Sequence, residues 1–331
     1  MDEPRLRSLR ELTEATLPFT VEDRRRSWAA VLSTGALTLL AVFVAALPFP
    51  LLLRVPASLF AALLFVRMFV IYHDFEHGAI LRDSAAAKAI LSFFGLFILS
   101  APSIWNRLHN YHHSHNCQFV TSGVGSFPVM SVPDYRAASP GIRLRYRLIR
   151  SPFMMVFAYL GIFLLGFCGK SLRDEPRRHR DSAAAILLHL GIVAVYAQFG
   201  WTTLLLGLML PLTCAHAIGS YLFYAQHNFP EVRLHPREEW DYVYAAVYSS
   251  SFMDGNAFMH WFTGNIGYHN VHHLNSRIPF YLLPEAMAAI PELMATARTS
   301  LRIRDIRACL QLKLWDPRSA RMVRYSAARL S

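Results

Sequence analysis

Long apolar stretches occupy much of the first two thirds of this chain, and they constrain it more than any other feature. A helix needs about 20 apolar residues to cross the hydrocarbon core. Inside that core every backbone N–H and C=O must find its partner within the chain, so such stretches are helices. Residues 28–48 are long enough for one crossing. Pro48 and Pro50 mark a tight turn, and residues 52–72 return. Residues 183–224 hold two more crossings, broken near Gly200 and Trp201. Hydrophobic residues make up 54% of the chain and charged residues only 17%, a balance that excludes an ordinary water-soluble protein of this length.

Lys and Arg exceed Asp and Glu by 11. The cations gather at the ends of the apolar runs: Arg24, Arg25 and Arg26 before the first, and Arg143 to Arg150 and Lys170 to Arg180 on either side of residues 152–168. There they read as cytoplasmic anchors and contacts to anionic lipid headgroups. No basic helix interleaved with aromatics points to nucleic acid, and none is expected as a partner. Cys117, Cys168, Cys214 and Cys309 are scattered without a CxxC pair, so neither a disulfide framework nor a thiolate metal site is expected. The first 26 residues are polar and show no cleavable signal peptide.

Three histidine groups carry the chemistry: His73-Asp74-Phe75-Glu76-His77, His109-Asn110-Tyr111-His112-His113 and His269-Asn270-Val271-His272-His273. On a helix, positions i, i+3 and i+4 share a face, so the three rings of each triplet are expected to converge on one point. Eight imidazoles exceed what one metal ion can use and suffice for two. Imidazole suits iron, zinc and copper. Ligands of one centre must lie on one side of the membrane. Residues 86–104 separate the first two groups, so they are expected to be re-entrant or to lie in the membrane plane. Residues 152–168, basic on both flanks, are read the same way. The expected fold is all-α: an integral membrane protein with about four transmembrane helices, two in-membrane or re-entrant segments, and a cytoplasmic helical cap holding a di-metal site. Residues 1–27 would be a cytoplasmic segment, 28–290 the membrane domain, and 291–331 a basic cytoplasmic tail.

The boxes and their surroundings resemble the membrane fatty acid desaturase superfamily, defined by H-x(3–4)-H, H-x(2–3)-H-H and [HQ]-x(2–3)-H-H. The run GNIGYHNVHHLNSRIPFYLLP resembles the third-box region of the omega-6, delta-12-like branch. YLFYAQHNFP resembles the segment before it, and HNYHHSHN followed by GSFPVM is similar to bacterial members. The resemblance covers roughly residues 55 to 290. It implies two non-haem iron ions held by His73, His77, His109, His112, His113, His269, His272 and His273, with His227 as an additional ligand. It implies O2-dependent introduction of a C=C bond into a fatty acyl chain, carried on a phospholipid, coenzyme A or acyl carrier protein. No fused cytochrome b5 domain is visible, so a separate electron donor is expected, such as ferredoxin or cytochrome b5 with its reductase. The expected location is a bacterial inner membrane, with the site facing the cytoplasm.

Around the ligands, Asp74 is expected to accept a hydrogen bond from a ligand's Nδ1–H. Glu76 stands where the branch often has glycine, and it reads as an outer acceptor or as solvent-facing. Asn265 and His260 are expected to support the third box from outside. His115 falls outside the ligand set. His189 and His216 lie in apolar helices and are expected to hydrogen-bond between helices. His179 and His235 are expected in solvent, and Trp105 and Trp261 as interface anchors. Rival readings are a hydroxylase, acetylenase, epoxygenase or carotenoid ketolase on the same scaffold, a catalytically dead lipid-binding homologue, and a membrane metal transporter or sensor. A transporter would hold its ligands near the bilayer midplane; here they fall at helix ends.

Overall fold

The computed structural model describes residues 7–119 and 126–329. A short helix, α1 (Leu9–Thr16), opens on a capping box between Ser8 and Glu11 and buries Leu12. The first span, α2 (Arg24–Ala46), starts where the Asp23 carboxylate accepts from the N–H groups of Arg25 and Arg26, satisfying donors a helix start leaves free. The second, α3 (Leu51–Glu76), returns after the Pro48–Pro50 turn. Buried Arg54 closes that turn: its Nε donates to the Ala45 carbonyl at 2.9 Å, at the end of α2 where carbonyls lack helical partners. The third and fourth spans are Arg180–Gln198 and Trp201–His227. Gly200 joins them at φ +94°, a conformation that favours glycine. Outward side chains such as Leu39, Leu52, Leu187 and Phe199 are exposed, as lipid-facing residues must be.

Between spans two and three lie α4 (Ala85–Phe97) and α5 (Pro102–Ser114), bent by 85° at residues 98–101. The bend returns the chain to the end it came from, since rings from the end of α3 and from α5 are in contact. The fourth span supports the break, with His216 Nε2 3.0 Å from the Ile98 carbonyl oxygen. This is the interhelical role expected of His216. His189 instead stays within its helix, Nδ1 3.2 Å from the Ala185 carbonyl oxygen. Residues 152–168 form a short helix, Pro152–Val156, and most of a π-helix, Tyr159–Gly169. The π-helix runs on without a break into Lys170–Asp174.

Two expectations fail at the helix ends. His179 is fully buried, not solvated: its Nδ1 lies 2.7 Å from Ser103 Oγ, while the Ser103 hydroxyl and N–H both donate to Asp181. This clamp fastens the start of α5 to the start of the third span. His235 is only partly exposed, and its carbonyl accepts from Phe119 N–H. The basic flanks disguised both as surface positions.

Among the described residues the helical fold also carries five strands of two or three residues in the cap: β1 (Met130–Ser131), β2 (Phe252–Asp254), β3 (Arg298–Ser300), β4 (Leu314–Asp316) and β5 (Arg321–Val323). β4 lies between parallel β1 and antiparallel β5, and β2 pairs parallel with β3. Residues 291–329, read from sequence as a tail, are therefore built into the cap. Arg7 reaches the same region through a bidentate pair with Glu292.

Candidate metal centre

Four helix ends meet at one level. The last turn of α3 supplies His73, with His77 just past it; α5 supplies His109, His112 and His113. His227 ends the fourth span, and a short helix, His269–Leu274, supplies His269, His272 and His273. Their ligand nitrogens fall into two sets, each with all atoms within 4.8 Å of one another. His73, His77, His109, His113 and His272 form the first; His112, His227, His269 and His273 form the second. In the first, Nε2 of His113 lies 3.0 Å from Nε2 of both His109 and His272. In the second, Nε2 of His227 lies 2.8 Å from that of His269 and 3.1 Å from that of His112, and His112 lies 3.2 Å from His273. The sets abut where His113 stacks on His273, ring centroids 4.4 Å apart.

The triplets thus do not converge on one point each. In both, the i and i+4 rings stay together and the i+3 ring crosses to the other set. At about 100° per residue, i+4 lies about 40° from i, whereas i+3 lies about 60° away on the other side. The two box helices face each other, so each lends its divergent ring to its neighbour's set.

This geometry fits metal ions. Two nitrogens bound at right angles about 2.1 Å from one ion lie about 3 Å apart, which is the spacing found. Burial first, then neighbouring rings, hold His269, His272 and His273 well below the usual imidazole range. Burial lowers His77 to about 4. The rings are therefore neutral near pH 7 and offer lone pairs that repel one another unless cations or protons lie between them. Cys117, with Sγ 3.9 Å from His227 Nδ1, is not a thiolate competitor, because burial raises its thiol to about 12.

The surroundings orient some rings. Asp74 Oδ1 lies 3.0 Å from His73 Nδ1, and Asp74 Oδ2 accepts from Phe280 N–H at 2.6 Å. His227 Nδ1 lies 3.3 Å from the Ser249 carbonyl oxygen. The outward Nδ1 atoms of His113, His269, His272 and His273 have no hydrogen-bond partner among the described residues. Asn265 donates to the Phe280 carbonyl at 3.1 Å, so it steadies the residue that binds Asp74 without touching a box ring. Glu76 accepts from Asn106, not from an imidazole. His260 packs on Tyr268 and Phe252, in neither set. His115 stacks on Tyr111.

Other supports were not read from sequence. Trp105, expected at an interface, stacks on His109 with centroids 4.0 Å apart and meets His73 edge-on. It stands four residues before His109 on α5, a spacing that identifies it in retrospect. Trp261 is exposed, under the guanidinium of Arg67, whose Nη1 also donates to the Trp261 carbonyl. Gln226 donates to the Ile266 carbonyl and ties the fourth span to the turn before the third box. In that turn Gly264 has φ +52°, and a Cβ there would come within 2.8 Å of Val70.

Comparison with known proteins adds the following. The family described as "Fatty acid desaturase" matches residues 49–304. A "Fatty acid desaturase" of Bacillus subtilis is 30% identical over 330 residues, covering 96% of this chain and 91% of the relative. An "sn-1 oleoyl-lipid 12-desaturase" of Synechocystis is 25% identical over 295 residues, covering 84% and 80%. An oleate hydroxylase of Claviceps purpurea is 33% identical over 112 residues, 34% of this chain and 22% of the relative.

Proposed function

The chain belongs to the fatty acid desaturase family, and we propose that its nine clustered imidazoles hold two non-haem iron ions. It is a multi-pass membrane oxidoreductase of the histidine-box type, which introduces double bonds into fatty acyl chains. The observation that carries the iron reading is the division of the rings into sets of five and four at ligand spacing. In this reading His73, His77, His109, His113 and His272 serve one ion, and His112, His227, His269 and His273 the other. Iron bound there supplies O2 activation and removal of two hydrogens from adjacent methylenes, with electrons from a separate carrier such as ferredoxin or cytochrome b5.

The chain's own residues do the rest. Asp74 holds the proton on His73 Nδ1, which leaves the Nε2 lone pair facing the metal site. Phe280 fixes Asp74 through its N–H, and Asn265 fixes Phe280. Trp105 walls the first set, so the acyl chain meets the centre in a water-poor space that positions one C–C bond. The acyl chain is borne on a lipid and desaturated at an omega-6-type position. Support comes from the run GNIGYHNVHHLNSRIPFYLLP and from the similarity to the sn-1 oleoyl-lipid 12-desaturase of Synechocystis. The arginines at the start of the first span support a site on the cytoplasmic face of a bacterial inner membrane.

The test is to purify the protein with iron, add a reductase–ferredoxin pair, and analyse products by mass spectrometry with phospholipid, acyl-CoA and acyl carrier protein substrates. Two irons per chain and a new double bond in the lipid-borne chain are expected. Hydroxylated chains alone would favour the hydroxylase reading, to which the partial match with the Claviceps enzyme points. Exchangeable zinc without O2 uptake would overturn the iron assignment.

A further inference from the structure

Residues 254–266 hang as a hairpin from one backbone pair just before the third box, where Met253 N–H donates to the Gly267 carbonyl at 2.8 Å. One arm is a short helix, Ala257–Phe262, opened by Asn256, whose Oδ1 accepts from Met259 N–H at 2.9 Å. The hairpin follows the second span away from the metal centre. Gly264 lies against Val70, the Trp261 carbonyl accepts from Arg67, and the Phe262 ring meets that of Phe60 with centroids 5.7 Å apart. In α3, Val70, Arg67 and Phe60 precede the ligand His73 by about 5, 9 and 20 Å of helix, at about 1.5 Å per residue.

The first span agrees on the depth. Phe262 is buried in a cluster with Ala41, Ala61 and Leu64, and Ala41 lies well inside the apolar run that starts at Trp28. From Trp28 to Ala41 the helix rises about 20 Å, against a hydrocarbon core about 30 Å thick. The Phe262 ring therefore reaches about the middle of that layer. Backbone at such depth must be paired within the protein. On the returning arm the N–H groups of Thr263, Gly264, Asn265 and Ile266 donate to the carbonyls of Met259, Trp261, His260 and Thr263 at 2.8 to 3.2 Å. Arg67 serves the Trp261 carbonyl from α3, and its Nε donates to Thr34 of the first span at 3.2 Å.

The outer face of the hairpin is apolar. Phe258 is 64% exposed and Trp261 40%. Both rings pack on Phe262, which joins them to Phe60 and so to the outward surface of the second span, where Leu59 is also exposed. Asp254, the hairpin's one acidic residue, adjoins the Met253–Gly267 pair at its mouth.

We infer that residues 257–264 are immersed in the bilayer beside the first two spans, with Phe258 and Trp261 packed against lipid acyl chains. The sequence conceals this, because the segment is far too short for a span and follows a polar stretch. Immersion holds whether or not the chain desaturates lipids, and it brings acyl chains against the hairpin that leads into the third box.

The test uses the wild-type chain in phosphatidylcholine vesicles. It is oxidised with hydroxyl radicals and, separately, photolabelled from phosphatidylcholine carrying a diazirine either halfway along an acyl chain or on the headgroup; mass spectrometry locates the modified residues. Relative to the unfolded chain, Phe258 and Trp261 should lose most of their oxidation, whereas Met294, 49% exposed in the cap, should keep much of its own. The mid-chain probe should label the peptide holding Phe258 and Trp261 but not that holding Met294. Oxidation of Phe258 and Trp261 as ready as that of Met294 would put the hairpin in water and overturn the inference. Labelling from the headgroup probe alone would leave it at the surface and overturn the depth. Protection from radicals with no lipid label would assign the face to a second copy of the chain, and that too overturns it.

Discussion

Replacing Asp74 with asparagine separates the two sets of rings. The side chain keeps its shape, and its amide oxygen can still accept from Phe280 N–H, now as a neutral acceptor, at a cost of about 1 kcal/mol. The other end changes sense. Asp74 Oδ1, 3.0 Å from His73 Nδ1, becomes either an NH2 donor or a weaker acceptor. A donor there makes Nδ1 the acceptor and moves the proton to Nε2, which points into the first set. Loss of such an outer partner typically lowers metal affinity roughly 10- to 100-fold, about 1.4 to 2.7 kcal/mol. Only the first set contains His73, so the second should be untouched. Cobalt or iron titration of metal-free Asp74→Asn should therefore show one site at wild-type affinity and one weakened by that factor. Metal-free thermal stability should fall by no more than a few degrees. Two sites at wild-type affinity would refute the assignment of Asp74, and equal weakening of both would refute the division into sets.

The division predicts that His272→Ala and His273→Ala, neighbours in one box, each retain about one metal per chain, but at different sites, distinguishable by Mössbauer spectra; identical residual spectra would contradict it. Gly264→Ala should lower stability by about 2 kcal/mol, since it combines a positive φ with a 2.8 Å approach to Val70, and Val70→Ala should recover part of the lost melting temperature. The metal-free protein should lose stability as pH falls from about 6.5 towards 4. His77 is depressed to about 4, and His269, His272 and His273 lie well below 6.5, so in that window the unfolded chain binds protons that the folded chain does not. Stability that stays flat between pH 7 and 5 in thermal melts would contradict neutral, buried rings.

Much of this was legible because the signals are periodic. Apolar length located the spans, and the separation of box one from box two required a returning segment, which is the bent pair α4–α5. His109 and His113 share a face by spacing alone, but which ring faces which ion depends on the facing helix, which spacing does not contain. Trp105 was readable at i−4 from His109 and was missed because tryptophan near a membrane suggests an interface. Arg150 sits in a basic stretch that looks like a headgroup anchor; only burial distinguishes it from exposed neighbours such as Arg147. Strands as short as β2 and β3 carry too little alternation to be seen.

The most direct measurement is anomalous scattering at the iron edge from the iron-loaded protein. Two iron positions are predicted, one inside His73, His77, His109, His113 and His272, and the other inside His112, His227, His269 and His273. A single iron, or iron lying outside either set, would contradict the di-iron centre on which the proposed chemistry rests.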